Sequence, residues 1–240
     1  MRLAGKKVVV TGATRGIGEA IAKAFRAEGA WVIGSGTGDV DATVPHLSFN
    51  QYFRADFADI QQIRDFAEFI RREEPDVLVN NAGINKIQAF AEIELEDFIR
   101  VQQVNVIAPL LLSQAAIPAM KRRRWGRILA ISSIWGKISK EYRASYSASK
   151  FALDGMMLAL AIEHAPDGIL ANCIAPGFVD TELTRRVLGD DGIRNLISAV
   201  PARRMADADE IARFAVWLAG PENTYMTGQN IAIDGGFTRA

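Results

Sequence analysis

In the stretch SYSASK, residues 145 to 150, Tyr146 and Lys150 stand four positions apart among side chains too small to bury much around them. On a helix, positions i and i+4 share a face, so the phenol and the ammonium would stand side by side. A free phenol has a pKa of about 10, too high for ready proton transfer at neutral pH. A neighbouring cation lowers it by favouring the phenolate, which would make Tyr146 a general acid or base. The chain has tyrosines at 52, 142, 146 and 225, and only Tyr146 has a lysine four residues on. An ordinary helix surface with a solvated lysine fits the same fragment, so the rest of the chain must decide.

A second candidate site is TGATRGIG, residues 11 to 18, which follows the apolar run KKVVV and leads into Ile17, Ile21 and Phe25 at helical spacing. A strand, a glycine-rich turn and a helix start aim unpaired backbone N–H groups at phosphate oxygens. Gly12, Gly16 and Gly18 let the backbone turn sharply and approach a pyrophosphate, with Thr14, Arg15 and Ile17 beside it. The competing reading is a tight structural turn.

These residues need a frame. The β-rich runs KKVVVTG, AWVIG, QYFRAD, DVLVNNAG, GRILAISS, ILANCIAPG and QNIAIDGG alternate with amphipathic helical patterns. Seven such strands predict an α/β fold with a parallel, doubly wound seven-stranded sheet, and their near-continuous apolarity predicts helices on both faces. No repeat or linker divides residues 1 to 240, so one Rossmann-like domain is expected. A helix is predicted from about 94 to 123, ending in KRRRWG, whose cations complement the carbonyl end of the helix. Gly36, Gly38 and Pro45 break any helical period between the second and third strands, so mostly loop is expected there.

Lys plus Arg and Asp plus Glu each number 28, so the net charge is zero and no nucleic-acid partner is expected. The lone Cys173 reads as a small buried strand residue. With only His46 and His164 besides, zinc spacing is absent and no metal is expected. The start MRLAGKKVVV carries no signal-peptide stretch. Pro109, Ser113, Gln114 and Pro118 interrupt the longest apolar run before it reaches the roughly 18 residues a span needs, so no membrane association and a cytoplasmic location are expected.

TGxxxGxG, NNAG at 80 to 83, SSIWG at 132 to 136 and YSASK at 146 to 150 together resemble the short-chain dehydrogenase/reductase family, and the likeness continues through APGFVDTEL and TGQNIAIDGG. It covers essentially the whole chain, in order. The resemblance implies interconversion of a secondary alcohol and a ketone by hydride transfer with a nicotinamide dinucleotide. It makes Tyr146 the proton donor or acceptor, gives Lys150 the added task of bonding the nicotinamide ribose, and places Ser133 on the substrate oxygen. Ser132 is out of register with that pattern. It also implies that the Asn105 backbone carbonyl holds a relay water; a locally satisfied helix irregularity is compatible with this. Asn80, Ala82 and Gly83 would line the adenosine side, Asp56 would bond the adenine amino group or serve as a turn residue, and Pro176, Gly177 and Val179 would border the carboxamide. Thr181 would reach the carboxamide or a phosphate, or else cap a helix.

An acidic residue at the end of the second strand selects NAD by bonding the ribose 2′-hydroxyl. Here Gly36 stands there, and Arg15, Ser35 and Thr37 could hold a 2′-phosphate, so NADP is favoured, with NAD possible through Asp39 or Asp41. The strip IWGKISKEYRAS carries Lys137, Lys140, Glu141 and Arg143, and Asn85 and Lys86 follow NNAG. These favour a polar hydroxy or keto compound such as a sugar derivative, unless the strip is simply solvated or forms a subunit contact. Trp135 would supply a flat wall. The rivals are a 3-oxoacyl-thioester (acyl-carrier-protein) reductase and a non-catalytic nucleotide binder. A Ser133 hydrolase lacks a GxSxG elbow. Residues 184 to 204 are expected to form a mobile lid over the pocket. Apolar residues on several faces of the helices near Asn105 and Tyr146 imply a homo-oligomer, dimer or tetramer.

Overall fold

The computed structural model describes residues 1–39 and 48–240; the candidate Asp41, along with Pro45 and His46, lies outside them. Seven parallel strands form one sheet: β1 (Lys7–Val10), β2 (Trp31–Gly36), β3 (Gln51–Arg54), β4 (Val77–Asn80), β5 (Gly126–Ile131), β6 (Ile169–Pro176) and, after two short strands described below, β9 (Asn230–Ile233). Their order is β3-β2-β1-β4-β5-β6-β9. From β1 the chain winds out to β3 and then returns past β1 to begin again at β4. That reversal opens a crevice beyond the carboxyl ends of β1 and β4, where such sheets take their ligands.

Alternate residues of β1 feed different cores. Val8 and Val10 face α1 (Gly16–Ala27) and α7 (Ala208–Ala219), packing with Ile21, Phe25, Ile211 and Leu218. Val9 faces the opposite layer, with Phe66 and Ile70 of α2 (Ile60–Glu73), Leu112 and Met120 of α4 (Ala108–Arg123) and Leu153 and Met157 of α5 (Ala144–His164). A strand buried on both faces has no polar side to show, which is why these runs are continuously apolar. The caps are local: Asp59 accepts from the Gln61 N–H ahead of α2, and Asp207 with Glu210 forms a capping box ahead of α7.

Two details depart from the sequence reading. The helix expected from 94 to 123 is α3 (Leu95–Gln102), a π-helical turn at Gln103–Ile107, and α4. Pro109 and Pro118, which interrupt the apolar run, do not end the helix: both are carried within it. The resulting stretch Leu95–Arg123 is long and apolar enough to cross a bilayer, yet 56% of its apolar window is buried within the protein, the mark of a core helix. The second departure is a small parallel pair, β7 (Val179–Asp180) and β8 (Ala206–Asp207), joined through α6 (Glu182–Ala199). Residues 184 to 204, expected as a lid, are most of α6 and the turn leading to β8.

Candidate active site

The glycine turn is strapped to the end of β4. Thr11 Oγ1 accepts from the N–H groups of Asn81 and Ala82, both at 2.9 Å, and Asn81 Nδ2 donates to the carbonyls of Thr11 at 2.8 Å and Gly12 at 3.1 Å. Gly12 and Gly16 have left-handed backbone, φ 64° and 57°, and a Cβ on Gly18 would fall 2.1 Å from the Gly12 carbonyl oxygen. Arg15 precedes α1 in extended conformation and puts no side-chain cap on it, leaving the first N–H groups of that helix to a ligand. Thr14 and Arg15 are exposed and Ile17 is half-buried. Across from the turn stands Thr181, whose methyl would be 3.5 Å from a Cβ on Gly16. Thr181 Oγ1 accepts from Thr184 N–H, so it is the cap of α6 as well as a wall of this cradle. Glycines, uncapped N–H groups and an opposing hydroxyl are what a dinucleotide pyrophosphate requires.

Around that cradle the expected residues separate. Gly83 looks across at the catalytic side, where a Cβ would lie 3.3 Å from Asn105 Oδ1 and 3.6 Å from Lys150 Nζ. Pro176 ends β6, and Gly177 passes so close to Asp234 that a Cβ would sit 2.7 Å from its Cα. Val179 has a buried side chain and offers backbone from β7. Two side chains turn elsewhere, and a third serves a turn. Asn80 is 3% exposed and donates to Ser113 Oγ of α4, so this end of β4 can offer the crevice backbone rather than that amide. Ser35 is 1% exposed with no partner for its hydroxyl among the described residues, on the opposite face of β2 from Gly34 and Gly36 and away from the phosphate position expected for it. Asp56 Oδ1 accepts from Ala58 N–H at 2.9 Å, the turn role. Asn81, which carries the strap, was not singled out by the sequence reading; its amide bridges two segments distant in the chain.

At the carboxyl end of β5, Ser133 opens a 3₁₀ turn with its Oγ accepting from Trp135 N–H at 3.2 Å. Ser132 points inward beneath Gly136 and its hydroxyl is buried without a partner. Tyr146 and Lys150 share one face of α5, with Lys150 Nζ 5.5 Å from the phenol ring centroid, within cation–π reach. Burial raises the Tyr146 pKa, while the neighbouring Ser133 hydroxyl and then the Arg143 guanidinium oppose that rise. The phenol pKa is thus raised overall, with the Ser133 hydroxyl and the Arg143 guanidinium partly offsetting its burial. Lys150 Nζ donates to the Ile131 carbonyl at 2.8 Å, and burial lowers its own pKa to about 8.

Asn105 lies in the π turn. Its Oδ1 accepts from Ile84 N–H, and its Nδ2 donates to the Ile84 carbonyl and to Ser149 Oγ, all at 2.9 Å; Ser149 in turn donates to the Tyr146 carbonyl at 2.7 Å. This chain fixes the exit of β4 against the catalytic helix. The fully buried Ser149 could have been suspected from its place between Tyr146 and Lys150. Beyond Ser133 lies an aromatic cluster of Trp135, Phe178 and Phe237, whose rings meet edge to face at 5.0 to 6.3 Å. Among the described residues, no group of acidic, His or Cys side chains is placed to hold a metal.

A phenol, a serine hydroxyl and a buried ammonium beside a pyrophosphate cradle define a dinucleotide-dependent oxidoreductase. Sequence and structure comparisons agree. Residues 12–238 match the family model described as enoyl-(acyl carrier protein) reductase. The chain is 38% identical to the 3-oxoacyl-acyl-carrier-protein reductase FabG of Escherichia coli K12, over 98% of each chain. It is 36% identical to Nodulation protein G of a Rhizobium species, over 98% of this chain and 97% of that one. Among solved structures, a protein of Beutenbergia cavernae provisionally named an NAD(P)-dependent gluconate 5-dehydrogenase, with bound NADP, superposes at a TM-score of 0.93 with 36% identity, covering 99% and 98% of the two chains. The chain belongs to the short-chain dehydrogenase/reductase family and is an NAD(P)-dependent oxidoreductase acting on CH–OH groups.

Proposed function

We propose that this enzyme uses NADP to interconvert a polar, anionic hydroxy compound and its ketone, with a sugar acid as the model substrate. The observation that carries the substrate class is Arg143. It is half-buried one turn before Tyr146 and close enough to bias the phenol, yet its guanidinium makes no hydrogen bond or ion pair among the described residues. Lys140 and Glu141 beside it are paired with each other at 3.6 Å. A guanidinium at the mouth of a site, influenced by Glu141 through space but not bonded to it, has its donors left for a carboxylate on the substrate. The bound dinucleotide supplies or accepts the hydride. Tyr146 moves the proton at the substrate oxygen, Ser133 holds that oxygen, Lys150 keeps positive charge beside both, and Arg143 orients the far end.

NADP is supported by Gly36, which puts no carboxylate at the end of β2, and by the bound NADP of the Beutenbergia structure. A homo-oligomer is supported by Ile99, Ile107 and Leu110 of the α3–α4 stretch and Phe151, Leu158 and Ile162 of α5, all left exposed on the surface. A second reading, a 3-oxoacyl-thioester reductase, is favoured by the FabG relatives and by the aromatic trio, which would suit an acyl chain.

A screen of aldonates, neutral polyols and 3-oxoacyl thioesters, following NADPH absorbance, tests this. Aldonates or their keto forms should give the highest kcat/KM. A charge-assisted hydrogen bond is worth roughly 1.5–3 kcal/mol, so Arg143→Gln should raise KM for the anionic substrate about ten- to a hundredfold and leave neutral polyols unchanged. Highest activity on the thioester, with no effect of Arg143→Gln, overturns the proposal in favour of the second reading.

A further inference from the structure

The edge of the sheet next to the adenosine side holds an ion pair, Arg54 with Asp39, of which only Asp39 has so far been given a part, as a possible partner of an unphosphorylated ribose. Arg54 is the last residue of β3 and lies in register with Gly36, the last residue of β2. Tyr52 and Arg54 project from the same face of β3. The Tyr52 hydroxyl would be 3.0 Å from a Cβ on Gly36, and Thr14 of the glycine turn would be 3.1 Å from it. Arg54 therefore extends on the glycine-turn face, beside the strand end where an adenosine ribose rests in this fold. Its Nε donates to the Thr37 carbonyl at 3.0 Å and its NH1 to Asp39 Oδ1 at 3.2 Å. Tyr52 adds a hydrogen bond to the Gly38 carbonyl at 2.7 Å and stacks on Phe49 at 5.3 Å. The backbone from 37 to 39 is thus pinned by two side chains of β3.

We infer that Arg54 and Asp39 form a selector for the ribose 2′-position: Arg54 binds a 2′-phosphate, and Asp39 is the resident anion it exchanges for that phosphate. The inference rests on the dinucleotide reading above and adds to it a residue on a different strand from Arg15. Both side chains of the pair are exposed, 62% and 88%, and exposed pairs contribute little net stability, so the exchange is easy. A phosphate monoester brings a charge of about −1.5 to −2 and three acceptor oxygens, against one charge on Asp39, and matches the guanidinium fork. With Nε tied to Thr37, Arg54 still has its NH1 and NH2 donors to offer. A 2′-hydroxyl offers no such exchange: Arg54 then keeps Asp39, and Asp39 loses the charge conflict with the ligand. The same two residues thereby favour the phosphorylated dinucleotide while leaving the other able to bind.

The test is calorimetric titration of the whole enzyme with 2′,5′-ADP and with 5′-AMP, probes that differ only at that position and need no turnover. The wild type should bind 2′,5′-ADP more tightly. Arg54→Gln should cut the ratio of the two affinities about tenfold with 5′-AMP unchanged. Arg54→Lys should fall between, and Asp39→Asn should tighten 2′,5′-ADP severalfold without altering 5′-AMP. High salt should erode the 2′,5′-ADP advantage more in the wild type than in Arg54→Gln. Equal loss of both ligands in Arg54→Gln would show that the residue merely braces β3, and no change in the ratio would show that the phosphate does not reach it; either result overturns the inference. A wild type that binds both probes equally overturns the NADP assignment instead. In that case the selector is judged by whether Asp39→Asn creates a preference that Arg54→Gln removes in the double variant. If no preference appears, the selector falls as well.

Discussion

At the corner where β1 and β4 diverge, Asn81 and Thr11 close the backbone with four hydrogen bonds and Gly18 leaves no room for a Cβ. Between Ser133 and Phe237, by contrast, the site is made of side chains: a guanidinium that makes no hydrogen bond among the described residues, three aromatic rings and a buried lysine bonded to one carbonyl. The first region recognises what every dinucleotide has in common, a pyrophosphate, so it is built of backbone and tolerates little change. The second, on the function proposed, faces what varies from one substrate to another, and its guanidinium and aromatic rings stand outside the strands of the sheet. Catalysis requires both regions to meet at Gly83, Asn105 and Lys150.

The largest expected effect separates the chemistry from the cradle. Tyr146→Phe removes only a hydroxyl, and general acid catalysis of this kind is worth roughly 10²- to 10⁴-fold. Turnover should fall by that factor while NADPH binding, read by fluorescence titration, stays near the wild-type value. If binding falls in step with turnover, the two regions are not separable and the comparison fails. The converse variant is Gly18→Ala. Its methyl would collide with the Gly12 carbonyl and with Asn81 Nδ2, at 2.1 and 2.3 Å. Overpacking costs about 1–3 kcal/mol, so the melting temperature should drop by several degrees. Dinucleotide affinity should weaken up to about a hundredfold. A variant that binds as the wild type does would mean the strap is looser than its geometry.

How far the sequence discloses each region follows the same division. The seven strands, the glycine turn and the placement of Tyr146 with Lys150 are legible because each is a local pattern: apolar runs, glycine spacing, an i, i+4 pair. What escapes is made by contacts between distant segments. Asn81 reaches back some 70 positions, Asn105 ties Ile84 to Ser149, and Arg54 becomes interesting only once β3 is placed in register beside Gly36. Ser35 misleads for a related reason. Its type suits a phosphate, but the alternation along β2 turns its hydroxyl into the interior. The two-residue strands β7 and β8 are too short to leave any periodicity.

The opening question, how a lysine assists a tyrosine, also changes form, and this gives the mildest of the predicted effects. Burial lowers the Lys150 pKa from 10.5 to about 8, so its ammonium begins to be lost within an accessible pH range. Because kcat/KM reports the free enzyme, carbonyl reduction should fall on the alkaline side with an apparent pKa of about 8, losing about tenfold between pH 7 and 9. Stability moves the other way. Below pH 8 the lysine is charged in both states and the full cost of burying the ammonium weighs against folding. Between about 8 and 10.5 the unfolded chain holds the proton that the folded chain has released, so this group's contribution raises stability as pH rises. Measuring kcat/KM and the urea midpoint over the same pH series separates the two effects. In Lys150→Met the alkaline limb of the residual activity and the stability increment should both vanish, whereas a limb near 8 that survives this substitution assigns the titration to another group and leaves Lys150 a structural brace for Ile131.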